Sequence, residues 1–235
     1  MTKEFTHTPI FDSTLLRETG IDSEFELIFR MIGWEDAWEI NEHGSKLLNM
    51  EFISSMDFDD DNVSFRMFNK LFTLTWKTVS VALGFLDQYV VNIADVLKDF
   101  NKDEFWENIT AKQPKRKQKY TTEEVHHPTL RFMLKWLAFT FFSREELNTI
   151  RQYELYLLYI MIKNRKALPV MLMLSYWKTV PTMRKCSISF TSWITCLAAS
   201  LELLSKATLT FILDDRRIIG YVFFRPCSYA KKMKQ

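Results

Sequence analysis

Lys112, Lys115, Arg116, Lys117 and Lys119 place five cations within eight residues that lack any apolar periodicity. A segment of this kind cannot pack into a core, so its charges stay in water. The chemistry on offer is neutralisation of phosphate, as a nucleic-acid-binding arm or as a nuclear-import address. A solvated loop with no further task accounts for the same residues equally well. The acidic run Asp57, Asp59, Asp60, Asp61 sets carboxylates at spacings suited to a hard cation. As a calcium loop it fails at the sixth position, where Asn62 stands for glycine, and at the twelfth, where Phe68 stands for a bidentate glutamate. An acidic turn before a strand is the favoured reading, and no metal is expected.

His126 and His127 are adjacent, whereas a helix aims two ligands at one ion from positions i and i+4. The pair is read as the polar start of a helix at Pro128. Cys186, Cys196 and Cys227 are odd in number and form no CxxC pair, which fits a reducing compartment better than a disulfide framework. Tyr153, Tyr156 and Tyr159 repeat every three residues, a spacing that packing into a core explains without invoking base stacking. No nucleophile elbow, no Gly-x-Gly-x-x-Gly, no phosphate loop and no His-Glu-x-x-His occurs in the sequence. No catalytic residue and no cofactor is therefore expected, and the chain is read as non-enzymatic.

The elements that must position these groups read as mainly α, a helical globular domain with one or two small β-hairpins. Ser23 with Glu26 makes a capping box for a helix ending at Gly33. Leu48, Phe52 and Met56 predict a helix over 45–56, and alternation over 63–76 predicts a hairpin turning at Asn69 and Lys70. Thr75 caps a helix that stops at Gly84, with Phe85 completing the stop. Further helices are expected over 90–100, 128–142, 150–163 (with Thr149 and Gln152 as a capping box), 169–180 and 189–205, with a short element over 105–109. A second hairpin is expected where 208–213 and 218–224 flank Asp214 to Arg217.

Composition bounds the remainder. The 235 residues are 47% hydrophobic and 15% aromatic with only 5 glycines, which excludes a disordered chain and disfavours folds built on tight turns. The net charge of +2 conceals a polarity: residues 1–110 hold 9 Lys/Arg against 21 Asp/Glu, and residues 111–235 hold 22 against 8. Opposite charges on one molecule suit head-to-tail self-association, a phosphate-binding half, or two solvated faces. The division predicted is an acidic helical region over 1–110, a basic linker over 111–122 and a basic, helix-rich region over 123–235, the two regions together forming one domain or two. The start of the chain lacks the apolar core of a signal peptide, and the longest uncharged stretch, 186–201, is too short to span a bilayer. The expected location is intracellular, in the nucleus or cytoplasm. The expected partners are a second copy of the chain and non-specific RNA or DNA, with no membrane and no small-molecule substrate.

Several segments, taken in order, carry a family resemblance. They are residues 15–20 (Leu15 to Gly20), 32–34 (Ile32, Gly33, Trp34), 51–55 (Glu51 to Ser55), 63–69 (Val63 to Asn69) and 83–85 (Leu83, Gly84, Phe85). Further along come 105–110 (Phe105 to Thr110), 127–132 (His127 to Phe132), 138–142 (Ala138 to Phe142) and 154–159 (Glu154 to Tyr159). Together, over roughly residues 13–205, they resemble the protein of the first open reading frame of Athila-type plant retrotransposons, elements of the gypsy class. The resemblance implies a retroelement-derived protein in the position of a coat-like gag product, and it implies no catalytic residues. No Cys-Cys-His-Cys knuckle and no protease, polymerase or integrase motif accompanies it, and the short length implies a fragment or a domesticated copy. Two functions follow as expectations: a gag-like structural protein, or a nucleic-acid-binding or nuclear regulatory protein descended from one.

Overall fold

The computed structural model describes residues 4–11, 13–85, 93–114, 119–144, 148–183, 187–204 and 218–219. The fold is mainly helical with a small three-stranded antiparallel sheet. Helices α1 (Ser13–Thr19), α2 (Asp22–Ile32), α3 (Glu35–Trp38) and α4 (Lys46–Ser55) precede the strands β2 (Asp57–Phe58), β3 (Asn62–Met67) and β4 (Lys70–Thr75), in the order β2-β3-β4. Then follow α5 (Trp76–Ala82), α6 (Ile93–Val96), α7 (Lys102–Thr110), α8 (Pro128–Trp136), α9 (Gln152–Ile162), α10 (Val170–Thr179) and α11 (Thr191–Ser200). The short strand β1 (Ile10–Phe11) pairs in parallel with β5 (Ile218–Ile219). The other residues of the expected second hairpin, and Val90 of the expected helix over 90–100, lie outside the described residues.

Local chemistry explains most boundaries. Gly33 ends α2 in the left-handed conformation (φ 74°), with Trp34 N–H donating to Phe29 O at 2.9 Å, the pattern of a Schellman stop. Ser45 caps α4 by accepting from Leu48 N–H, and Thr75 caps α5 by accepting from Thr78 N–H at 3.2 Å. Gly84 (φ 78°) and buried Phe85 close α5, with Phe85 N–H donating to Ser80 O at 3.0 Å. Pro128 occupies the first turn of α8. Three expectations need correction. Ser23 lies inside the first turn of α2, which starts after Ile21 and has no side-chain cap. Helix α9 starts after Arg151, where Glu154 Oε2 accepts from Arg151 N–H at 2.8 Å, so Thr149 and Gln152 form no capping box. The hairpin turns one residue earlier than expected, at Phe68 and Asn69, because Met67 pairs with Lys70.

That turn has positive φ at both central residues, Phe68 (51°) and Asn69 (61°). Asparagine tolerates this conformation, and phenylalanine does so at a cost. Compensation comes from α4: both oxygens of the Glu51 carboxylate accept from the turn, from Phe68 N–H at 2.7 Å and Asn69 N–H at 2.6 Å. Ser55, one turn along, accepts from Arg66 N–H at 2.8 Å. The acidic run supplies the other turn of the sheet, where Asp59 Oδ1 accepts from Asp61 N–H and Asn62 N–H at 2.9 and 2.7 Å.

The core is aromatic and continuous across the change of charge. One buried apolar cluster draws residues from Leu16 to Ala198. Phe29 meets Trp136 edge-on at 4.7 Å, and Phe85 stacks on Trp193 at 5.8 Å, so both halves of the sequence meet in one interior. At its centre α8 widens into a π-helical turn over Leu137–Phe141. The indoles of Trp193 and Trp177 donate to the Thr140 and Phe141 carbonyls at 3.1 and 2.7 Å, which satisfies acceptors that the helix end leaves open.

Candidate functional site

The basic segment is built on α7. Asn101 caps this helix by accepting from Asp103 N–H and Glu104 N–H, and Phe105, Trp106 and Ile109 bury one face. The helix stops at Ala111, which has φ 52°, and Thr110 Oγ1 donates to Trp106 O at 2.7 Å while accepting from Lys112 N–H at 3.2 Å. Lys112 is thereby held at the negative end of the helix dipole, a favourable place for a cation. Its Nζ lies 3.7 Å from Glu124 Oε1, with 54% of the lysine side chain exposed. A pair this exposed contributes at most about 1 kcal/mol, so Lys112 can exchange its partner at little cost.

The other end of the segment returns to the start of the same helix. The Tyr120 ring packs edge-on against Trp106 at 4.6 Å, and its hydroxyl donates to Asp103 Oδ1 at 3.0 Å. Lys102 Nζ lies 4.1 Å from the ring centroid, and Tyr120 O accepts from Ile150 N–H at 2.8 Å. Partial burial first, then the Asp103 carboxylate, push the Tyr120 hydroxyl above its usual pKa. Lys119 beside it is exposed. Lys112 and Lys119 are thus placed at the two anchored ends. Lys115, Arg116 and Lys117 lie outside the described residues.

An open groove of about 610 Å3 runs beside α7, between Phe105 and Ile109 on one side and Leu130 and Ile162 on another, with His126 and Lys163 at its rim. His127 precedes α8 without capping it and lies 3.6 Å from Glu24 Oε1. The groove and the cations Lys102 and Lys163 had no signal in the sequence, because they come from helices distant along the chain. The tyrosine stripe faces inward as expected: Tyr159 is buried against Phe100 and Phe105, and Tyr153 packs on Phe142.

The other concentration of charge is enclosed. Arg144 donates to Glu154 Oε1 and to Thr149 O (2.7 Å), and both side chains are at least 95% out of contact with water. Burial pushes the Glu154 carboxyl above its usual pKa, and Arg144 opposes the shift. The pair, with Glu154 also accepting from Arg151 N–H, ties the end of the π-helical turn to the start of α9. Among the described residues, no group of three or more His, Cys, Asp or Glu side chains is placed to hold a metal ion. Likewise no helix among them is long and apolar enough to cross a membrane.

The segments that carry the family resemblance are spent mostly on packing, and two of them, 105–110 and 127–132, also line the groove. Trp34, Phe52, Phe65, Phe85, Trp106, Phe132 and Phe141 are all buried, and Glu51 and Ser55 hold the hairpin. Against known proteins, the model of the ATHILA ORF-1 family matches residues 1–165. No curated protein and no solved structure matches the chain.

Proposed function

Since the chain belongs to the ATHILA ORF-1 family and is retrotransposon-derived, we propose that it is a non-enzymatic, gag-like structural protein that associates with copies of itself inside the cell. The observation that carries this reading is where most of the family pattern falls: on the aromatic core and the Glu51 clamp, with only the segments 105–110 and 127–132 also lining the open groove. A pattern spent on packing specifies a scaffold, and a scaffold acts through its surface. The opposed charge balance of residues 1–110 and 111–235 supports head-to-tail contact, a heterologous mode that extends beyond a dimer. Light scattering tests this. Scattering mass at tens of micromolar should fall between about 0.01 and 1 M salt, as the Debye length shortens from about 30 to 3 Å. A monomer at every ionic strength overturns it.

The anchored ends of the basic segment favour a second function alongside the first, non-specific binding of single-stranded nucleic acid, with a nuclear regulatory role as its descendant. Pinning Lys112 and Tyr120 to α7 limits the entropy lost when the intervening cations meet phosphate. Each neutralised phosphate contributes about −0.7 to the salt slope, so four or five contacts give about −2.8 to −3.5. Exchanging Lys112, Lys115, Arg116, Lys117 and Lys119 for glutamine should abolish binding to single-stranded RNA. Loss of a nuclear reporter signal alone would make the cluster an address, and survival of both would make it a solvated loop.

A further inference from the structure

The three-stranded sheet ends on an edge with the properties of a pairing surface. Met67 and Lys70 close the hairpin as a hydrogen-bonded pair, so Lys70, Phe72 and Leu74 turn their main-chain groups towards β3. By the same alternation Leu71, Thr73 and Thr75 turn theirs outward, where no strand among the described residues meets them. The opposite edge is protected: β2 is two residues long and carries Asp57, whose carboxylate pairs with Lys178. Edge strands are commonly shielded by charge, proline or brevity, and β4 has none of these from residue 71 to 75. Leu71 is 67% exposed on the outer face, the highest value of any large apolar side chain described, and Phe68 stands exposed at the tip. On the inner face Phe72 and Leu74 are only half-buried.

We propose that β4 pairs antiparallel with β4 of a second copy, about a two-fold axis at Thr73, joining two three-stranded sheets into one. The register follows from the outward groups: Thr73 faces Thr73, and Leu71 faces Thr75 of the second copy. Phe72 and Leu74 then lie opposite Leu74 and Phe72, continuing the inner apolar face across the junction. Because Thr75 O serves as the capping residue's carbonyl for α5, about four new main-chain hydrogen bonds form. The occupant is a second copy because the strand is neutral and alternating. A charged peptide would find no counter-ion between residues 71 and 75, whereas a second β4 brings no like charges face to face. This contact deepens the self-associating reading and differs from the head-to-tail mode, being isologous, closed and carried by uncharged groups.

Sedimentation of the full chain at 0.5 M salt isolates the edge contact, because charge contacts are screened there. A dimer is expected. Thr73→Pro deletes an outward N–H that the intrachain ladder does not use, and Leu71→Lys places a charge on an already exposed position, so both variants fold. Each should raise the dimer dissociation constant at least about tenfold. Thr73→Cys should cross-link to itself under mild oxidation, since facing Cα atoms in such a pair lie about 5.5 Å apart. Leu71→Cys should not, its two copies being about 13 Å apart. The unsubstituted chain under the same oxidant controls for the native cysteines. A dimer indifferent to Thr73→Pro and Leu71→Lys, or cross-linking equal at both cysteine positions, overturns the edge contact and leaves the self-associating reading in place. A monomer at 0.5 M salt that still assembles at low salt overturns the edge contact in favour of charge alone, and a monomer at both overturns the two together.

Discussion

Replacing Arg144 by methionine probes how the interior tolerates the buried Arg144–Glu154 charge pair. Methionine keeps the length and apolar stem of the arginine while deleting the donors to Glu154 Oε1 and Thr149 O. The Glu154 side chain, 2% exposed, then keeps the Arg151 N–H as a hydrogen-bond donor. Removing one partner of a buried pair costs about 3–5 kcal/mol, mostly the penalty of an uncompensated charge. For a chain of this size that lowers the melting temperature by about 6–20 °C. The pH dependence identifies the cause. Burial already holds the Glu154 carboxyl above its usual pKa, and deleting Arg144 removes the largest opposing influence, so it rises further. A carboxyl with a raised pKa in the folded state binds its proton more readily there than in the unfolded chain. Its penalty is therefore full above the folded pKa and is relieved as pH falls through that value. Urea denaturation should show the largest deficit of Arg144→Met against the parent at pH 7.5 and a smaller one at pH 5. Adding Glu154→Gln, which keeps an acceptor for Arg151 N–H and removes the charge, should recover at least half of the loss at pH 7.5. A deficit under about 1 kcal/mol at neutral pH, or one unchanged between pH 7.5 and 5, would mean that Glu154 is not left as an uncompensated buried charge.

The π-helical turn predicts that Trp177→Phe, which strips the donor from the buried Phe141 carbonyl, costs about 1–3 kcal/mol by denaturation. Gly84→Ala should cost about 1–3 kcal/mol by the same measurement, because φ is 78° and a Cβ would lie 3.0 Å from the Ala37 nitrogen and the Asp36 carbonyl carbon. Burial pushes the Cys196 thiol up to about 12, so peptide mapping after alkylation at pH 8 should find it unmodified in the native protein and labelled once urea unfolds it.

Much of the fold was legible because its punctuation is local. Gly33, Ser45, Thr75, Gly84 with Phe85, and Pro128 act on backbone groups within a few residues, and each stands where its type implies. Two of the three mistakes have the opposite property. The hairpin turns at Phe68 and Asn69 because Glu51, 18 residues before Asn69, holds both amides, and nothing near phenylalanine in the sequence announces a positive φ. Helix α9 starts after Arg151 because Glu154 reaches back to it while also meeting Arg144 ten residues earlier. The basic segment was visible as composition, and its two anchors, Thr110 below Lys112 and Trp106 beside Tyr120, were not, since they depend on α7 bringing both ends together. The groove between α7, α8 and α9 is likewise a product of packing and leaves no mark on any single stretch of residues.

Sedimentation velocity of the full chain, with and without single-stranded RNA at about 0.1 M salt, decides whether it is a scaffold that assembles and takes nucleic acid on its basic segment. A species larger than the monomer should gain mass when RNA is added, with the gain lost at about 1 M salt as the phosphate contacts are screened. A single monomer boundary that RNA leaves unchanged contradicts this reading.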